Sequence, residues 1–179
     1  MRLPVWLTVP CVLAFSAVHA GDAPYAGQDE RPNASLSDGD IAELVAGGGW
    51  GLAKPAELNG WPGPRHVLDL SSDLGLSGEQ LSRIEMIHSA MNVKAKALGR
   101  DLIERERAID RAFESGDIDR ERLDRLLAAA ETVRVDLRRA HLDAHIETAP
   151  LLTRHQKMAY QRLRGYGDHG GHAGHSGHN

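Results

Sequence analysis

Between Pro64 and Arg164 apolar residues recur at gaps of three, four and seven, a helical period with no competing strand alternation of useful length. The punctuation is helical too. Pro64 fits a first helical position, and the helix it opens is expected to end at Gly75. Ser77 can cap the next helix, with Gln80 three residues on to return the hydrogen bond and Leu76 and Leu81 placed as a hydrophobic staple. That helix carries Leu81, Ile84, Met91, Ala95, Leu98, Leu102 and Ile109 on one face, and is predicted to run to about Ser115, where Gly116 ends it. The following helix starts near Asp119, shows Leu123, Leu126, Ala130, Val133, Leu137 and Ala144 at the same spacing, and stops at Pro150. Thr153 and Gln156 repeat the cap-and-return pair before a last helix that ends at Gly165. The expected fold class is all-α: a long antiparallel helical hairpin with shorter flanking helices. Its apolar stripes are narrow, and one hairpin cannot fully cover them, so a homodimer is expected.

What precedes this domain is different in kind. Residues 1–20 read as a secretory signal, with Arg2 as the positive start, an apolar run from Val5 to Val18, and small residues at Val18 and Ala20 before a cut at Gly21. The run is too short and its flanks too polar for a good membrane span, so no stable span is expected after cleavage. The one cysteine, Cys11, lies inside the signal, which leaves neither disulfides nor thiolate ligands to the exported chain. With Arg2 removed the 21 basic and 25 acidic residues become 20 and 25, a net charge of −5 that offers no field for nucleic acid. Residues 21–63 form a Gly- and Pro-rich segment, expected to be disordered over 21–36, with a short helix around Ile41, Leu44 and Val45 followed by turns. Trp50 and Trp61 fall in that turn-rich stretch. Folding back to cap the core is the favoured reading, an exposed aromatic contact the other.

The two caps are Leu76-Ser77-Gly78-Glu79-Gln80 and Leu152-Thr153-Arg154-His155-Gln156, both of the form Leu-Thr/Ser-x-x-Gln. Two such boxes on an exported helical chain, with a long charged hairpin between them, make residues 64–165 similar to the Spy/CpxP periplasmic family, known for its LTxxQ motifs. Ser77 replaces the first Thr, a conservative change for capping. The resemblance implies a Spy-like fold and a periplasmic role as an ATP-independent chaperone, a stress-response repressor, or a zinc-resistance or nickel/cobalt-sensing protein.

Histidines carry the remaining chemistry. His141 and His145 are four apart on one helix, so both rings leave one face, a workable geometry for a shared transition-metal ion. A turn between Gly116 and Asp117 places His88 opposite His145, with Glu85 one turn before His88. Imidazoles with a carboxylate suit zinc, nickel, cobalt or copper rather than calcium. The competing reading is structural: His88 continues the apolar stripe of its helix and His141 follows Leu137 by four, so either fits a buried histidine satisfied by a neighbour. Metal-sensing relatives in the resembled family use histidines and a carboxylate from facing helices, but do not match residue by residue, because the helix of His66 has no second histidine at i+4. Residues 166–179 form a low-complexity tail in which His169, His172, His175 and His178 recur every third position among Gly, Ala and Ser, a pattern suited to gathering divalent transition metal. No nucleophile–base pair or phosphate loop is visible, so the chain is not expected to be an enzyme. The reading that results is a periplasmic metal-binding stress or resistance protein that senses or buffers transition metal. The alternative is a holdase or repressor without need of metal, partnered by unfolded periplasmic proteins or an envelope sensor.

Overall fold

The computed structural model describes residues 24–166 apart from Ala26 and Asp29, so the signal sequence and the tail histidines lie outside the described residues. The chain divides into two compact units, Met1–Arg31 and Pro32–Asn179. The described part of the first consists of turns, with the Gln28 amide donating to the Tyr25 carbonyl at 3.0 Å and Arg31 donating to the Gln28 side chain at 3.1 Å.

The second unit is helical, with no strand among the described residues. It contains α1 (Asp38–Ala46), α2 (Lys54–Glu57), α3 (Pro64–Asp69), α4 (Gly78–Glu114), α5 (Arg120–Thr148) and α6 (Arg154–Leu163), with a 3₁₀ turn at Ala149–Leu151. At 37 and 29 residues, α4 and α5 dominate and lie against each other. Midway along α5 Arg134 stands 3.7 Å from Glu106 of α4, and at the end away from their connection Gln80 Nε2 donates to the Leu151 carbonyl at 2.7 Å. Gly116, at φ +70°, makes the turn between them, and Asp119 caps α5 by accepting from the Arg122 amide at 2.7 Å.

The two boxes do more than start helices. Ser77 and Thr153 each accept from the amide three residues on, while Gln80 and Gln156 each accept from the backbone amide of their own cap residue at 2.9 Å. Each Gln also reaches the other box. The side-chain amides pair reciprocally at 2.9 and 3.1 Å, Gln80 reaches Leu151, and Gln156 donates to the Leu74 carbonyl at 3.3 Å. Replacing Gln156 with alanine strips the Thr153 amide, the Leu74 carbonyl and Gln80 of a partner at once. Because these groups are buried or half-buried, a loss of about 1–3 kcal/mol is expected in urea denaturation. A loss under about 0.5 kcal/mol, the size of an ordinary surface change, would show that the pairing is incidental.

The core has two parts. Leu36, Leu44, Ala95, Leu102, Ile103, Val133 and Leu137 join α1 and the segment before it to α4 and α5. Val67, Leu74, Ile84, Leu152, Ala159 and Tyr160 join α3 and α6 to the far end of α4.

Three expectations need correction. Residues 32–36 are packed rather than disordered: Asn33 is fully buried, accepts from the Leu36 amide at 2.9 Å and reaches the Ile103 carbonyl at 3.4 Å, so a short polar motif is held because its hydrogen bonds are made. The helix opened by Pro64 closes at Asp69 and continues to Gly75 as turns. The Gly/Pro-rich stretch contains a further short helix, α2, and the two tryptophans part company. Trp50 packs on the first core, donates to Asp40 at 2.8 Å and lies under the Arg134 guanidinium at 4.9 Å, whereas Trp61 is 46% exposed.

Candidate functional site

Between the two core clusters, the C-terminal end of α1, the glycine-rich connection after it, α2, α3, α4 and α5 surround an open pocket of about 620 Å³. His66 from α3, His88 from α4, and His141 and His145 from α5 all line it, together with Glu43, Glu57, Arg164 and Tyr166. The four-residue spacing on α5 accounts for two of these histidines, since i and i+4 side chains rise from one face.

His145 is 7% exposed and fixed from two sides. Its Nδ1 lies 2.7 Å from the Trp61 carbonyl oxygen, which can only accept, so Nδ1 carries a proton and donates it to that oxygen. Gly63 lies flat against the ring: a Cβ there would stand 2.7 Å from Cε1 and 2.9 Å from Nε2. His141 is 4% exposed, and its Nε2 is buried without a hydrogen-bond partner. Burial first, and then the neighbouring His145, push its pKa below the ordinary imidazole value, against the opposing pull of the Gly48 backbone and Glu43. The ring is therefore neutral at pH 7, the state in which imidazole can ligate a metal.

Glu57 closes the other side. Its Oε1 accepts from the Tyr160 hydroxyl at 2.7 Å and from Arg164 Nε at 3.1 Å, while Oε2 is buried without a hydrogen bond, 4.0 Å from His145 Nδ1. Burial, reinforced by Glu57, holds the Tyr160 pKa well above the ordinary phenol value, so the hydroxyl stays a donor. Two buried donor atoms, His141 Nε2 and Glu57 Oε2, are thus left over at one pocket. An unpartnered buried polar atom is costly, and a bound cation is one way to satisfy it.

The remaining histidines and carboxylate named from the sequence are placed differently. His88 is half-buried at the wall, but Glu85 is exposed and outside the pocket, because three residues along a helix leave it rotated by about 60° from His88 toward solvent. His66 stands 3.5 Å from Asp69 on a partly exposed edge. Among the described residues no three His, Cys, Asp or Glu side chains converge closely enough to hold an ion by themselves. The pocket offers pairs of ligands rather than a complete set. Sequence reasoning passed over Glu43, Glu57, Gly63, Tyr160 and Arg164. Of these only Glu57 left a local trace, as the lone acidic residue between Glu43 and Asp69 in a stretch of Gly, Pro and Trp.

Comparison with protein-family models, with curated proteins and with solved structures gives no match. The site must be read from its own chemistry. No described helix is long and apolar enough to cross a membrane.

Proposed function

We propose that this chain is an exported periplasmic protein of the Spy/CpxP type that binds a divalent transition metal, zinc, nickel, cobalt or copper, in the histidine-lined pocket and so senses or buffers it. The observation that carries the reading is the state of the α5 pair. His145 is oriented by a backbone carbonyl through one ring nitrogen, as metal-ligating histidines are, and His141 presents a buried nitrogen with no protein partner. The reciprocal Gln80–Gln156 pairing supports reading α4 and α5 as the antiparallel hairpin of an LTxxQ-type fold, since it gives the two boxes a joint role beyond capping. Export rests on the signal-like residues 1–20.

The test is the effect of metal on unfolding of the full exported chain. An ion bound to the folded state at one hundred times its Kd adds about 2.7 kcal/mol, which is readable as a rise in unfolding temperature. Zinc, nickel or copper is expected to produce such a rise, and His141→Ala with His145→Ala is expected to remove it. A rise that survives both substitutions would sink the pocket reading.

A second reading, a holdase that needs no metal, is favoured by the apolar side chains left exposed along α4 and α5, among them Met86, Val93, Val135 and Ile146. Full suppression of client aggregation in a chelator, with no metal-dependent change in unfolding, would make it the better account.

A further inference from the structure

The histidine pocket falls where the core of the hairpin is interrupted. Along α4 the inward face runs Ile84, His88, Met91 and Ala95 at helical spacing. Ile84 belongs to the second core and Ala95 to the first, and the two positions between them carry donor atoms. Along α5 Val133 and Leu137 belong to the first core, and the next two positions at a spacing of four are His141 and His145. Aliphatic side chains there would have joined the two cores into one. Met91 is half-buried and belongs to neither core, yet it lines the pocket with His88, His141 and His145. It also borders a second, smaller depression of about 150 Å³ beside Ala140 and Ala144, which puts it level with His141 across the hairpin. Residues 21–179 contain three sulfur atoms, and the other two belong to Met86 and Met158, which are 64% and 60% exposed and outside the pocket.

Resting on the metal reading of that pocket, we propose that the Met91 thioether joins the imidazoles of His141 and His145 as a ligand, and that the site thereby takes copper in its monovalent state in preference to zinc. Ligand softness is the first reason. Zinc is held by thiolate, imidazole and carboxylate, whereas a thioether selects copper(I), and imidazole suits copper as well. Ligand number is the second. A closed zinc site takes four protein donors, and no three His, Cys, Asp or Glu side chains converge among the described residues. Copper(I) is satisfied by fewer ligands, so two imidazoles and a thioether make a full set. The third reason is what the pocket costs without an ion. A thioether is apolar enough to sit half-buried with no partner, so Met91 holds a donor atom in place without the penalty of a second buried carboxylate. His141 Nε2, buried and unpartnered, is the one atom in the set that gains most from the ion.

The experiment measures copper(I) affinity of the full exported chain in oxygen-free buffer by competition with bicinchoninate, and zinc affinity separately. X-ray absorption at the copper edge reports whether sulfur is bound. The variants are Met91→Leu, Met158→Leu and His141→Ala/His145→Ala. Loss of an outer-shell partner already costs a metal site about 10–100-fold, so loss of a direct ligand in Met91→Leu is expected to weaken copper(I) by on the order of 100-fold. The same variant is expected to lose the copper–sulfur signal while zinc affinity stays within about threefold, and Met158→Leu is expected to change neither. Leucine conserves the volume of methionine, so metal-free Met91→Leu is expected to unfold at the parent's temperature. The sulfur signal is read on the parent itself and does not depend on how any variant folds. A parent without that signal, or a Met91→Leu protein that keeps its copper(I) affinity, would make Met91 a packing residue and overturn the inference. Equal losses of zinc and copper(I) in Met91→Leu would overturn the preference for copper. In each of these cases the metal reading stands as long as His141→Ala/His145→Ala loses metal. If the histidine variant binds both metals as the parent does, both readings fall.

Discussion

Replacing Glu57 by alanine is expected to cost about 3 kcal/mol of unfolding free energy, among the largest losses available to a single polar side chain in this protein. The Glu57 side chain is 11% exposed and binds three elements at once: its own α2, the Tyr160 hydroxyl on α6, and Arg164 beyond that helix. Its removal leaves the fully buried Tyr160 hydroxyl without an acceptor and the Arg164 guanidinium without its anion. A buried pair broken on one side costs about 3–5 kcal/mol, and the lower end applies because the Arg164 side chain is 29% exposed and can recover water. Glu57→Gln keeps an acceptor for Tyr160 and is expected to lose less than half as much. Thermal and urea unfolding of the two variants checks the order. Equal losses would mean that shape rather than hydrogen bonding sets the role of Glu57. The same residue ties the segment carrying Trp61 and Gly63 to the last helix, so its loss also frees the carbonyl that fixes the His145 ring.

That network shows where sequence reading reaches its limit. The helical class was legible because it is written locally: a period of 3.6 along 78–148, glycines at 116 and 165, and prolines at 64 and 150. His141 and His145 were legible for the same reason, since four residues on a helix is a local distance. Glu57 and Tyr160 are 103 residues apart, and nothing in the neighbourhood of either announces the other. Asn33 and Ile103 are separated by 70, and an Asp/Pro/Gly-rich segment reads as solvated unless its long-range partners are known. Glu85 failed by angle: nearness along the sequence suggested a ligand, but its position around α4 points it at water. The pocket is thus half local and half topological. A helical spacing puts two imidazoles on one face, and a turn-rich segment with no periodic signature supplies the carboxylate, the carbonyl and the glycine that shape their surroundings.

The second large effect is expected where α1 meets α4. Leu44 is 1% exposed and inserts between Ala95, Leu102 and Leu137 in the first core, so Leu44→Ala is expected to cost about 2–5 kcal/mol as transfer energy plus the cavity left behind. The insertion depends on a close approach of backbones. A Cβ at Gly99 would meet the Leu44 carbonyl oxygen well inside contact distance, and that oxygen is main chain and cannot swing away. Glycine inside a helix ordinarily costs 0.5–1 kcal/mol against alanine, so on helix propensity alone Gly99→Ala should stabilise α4. Overpacking of about 1–3 kcal/mol opposes it, and the net expectation is destabilisation by about 1–2 kcal/mol. The sign is the informative part: a stabilised Gly99→Ala protein would mean that α1 is free to move outward. Because the two residues touch, the double variant should fall short of the sum of the singles. Urea midpoints at unchanged m-value report these losses directly. Since Glu43, Gly47 and Gly48 at the end of α1 wall the pocket, the same variants should loosen the cover over His141 and, on the metal-binding function proposed above, weaken zinc binding together with stability. Weakened stability with zinc affinity intact would mean that α1 takes no part in the proposed metal site.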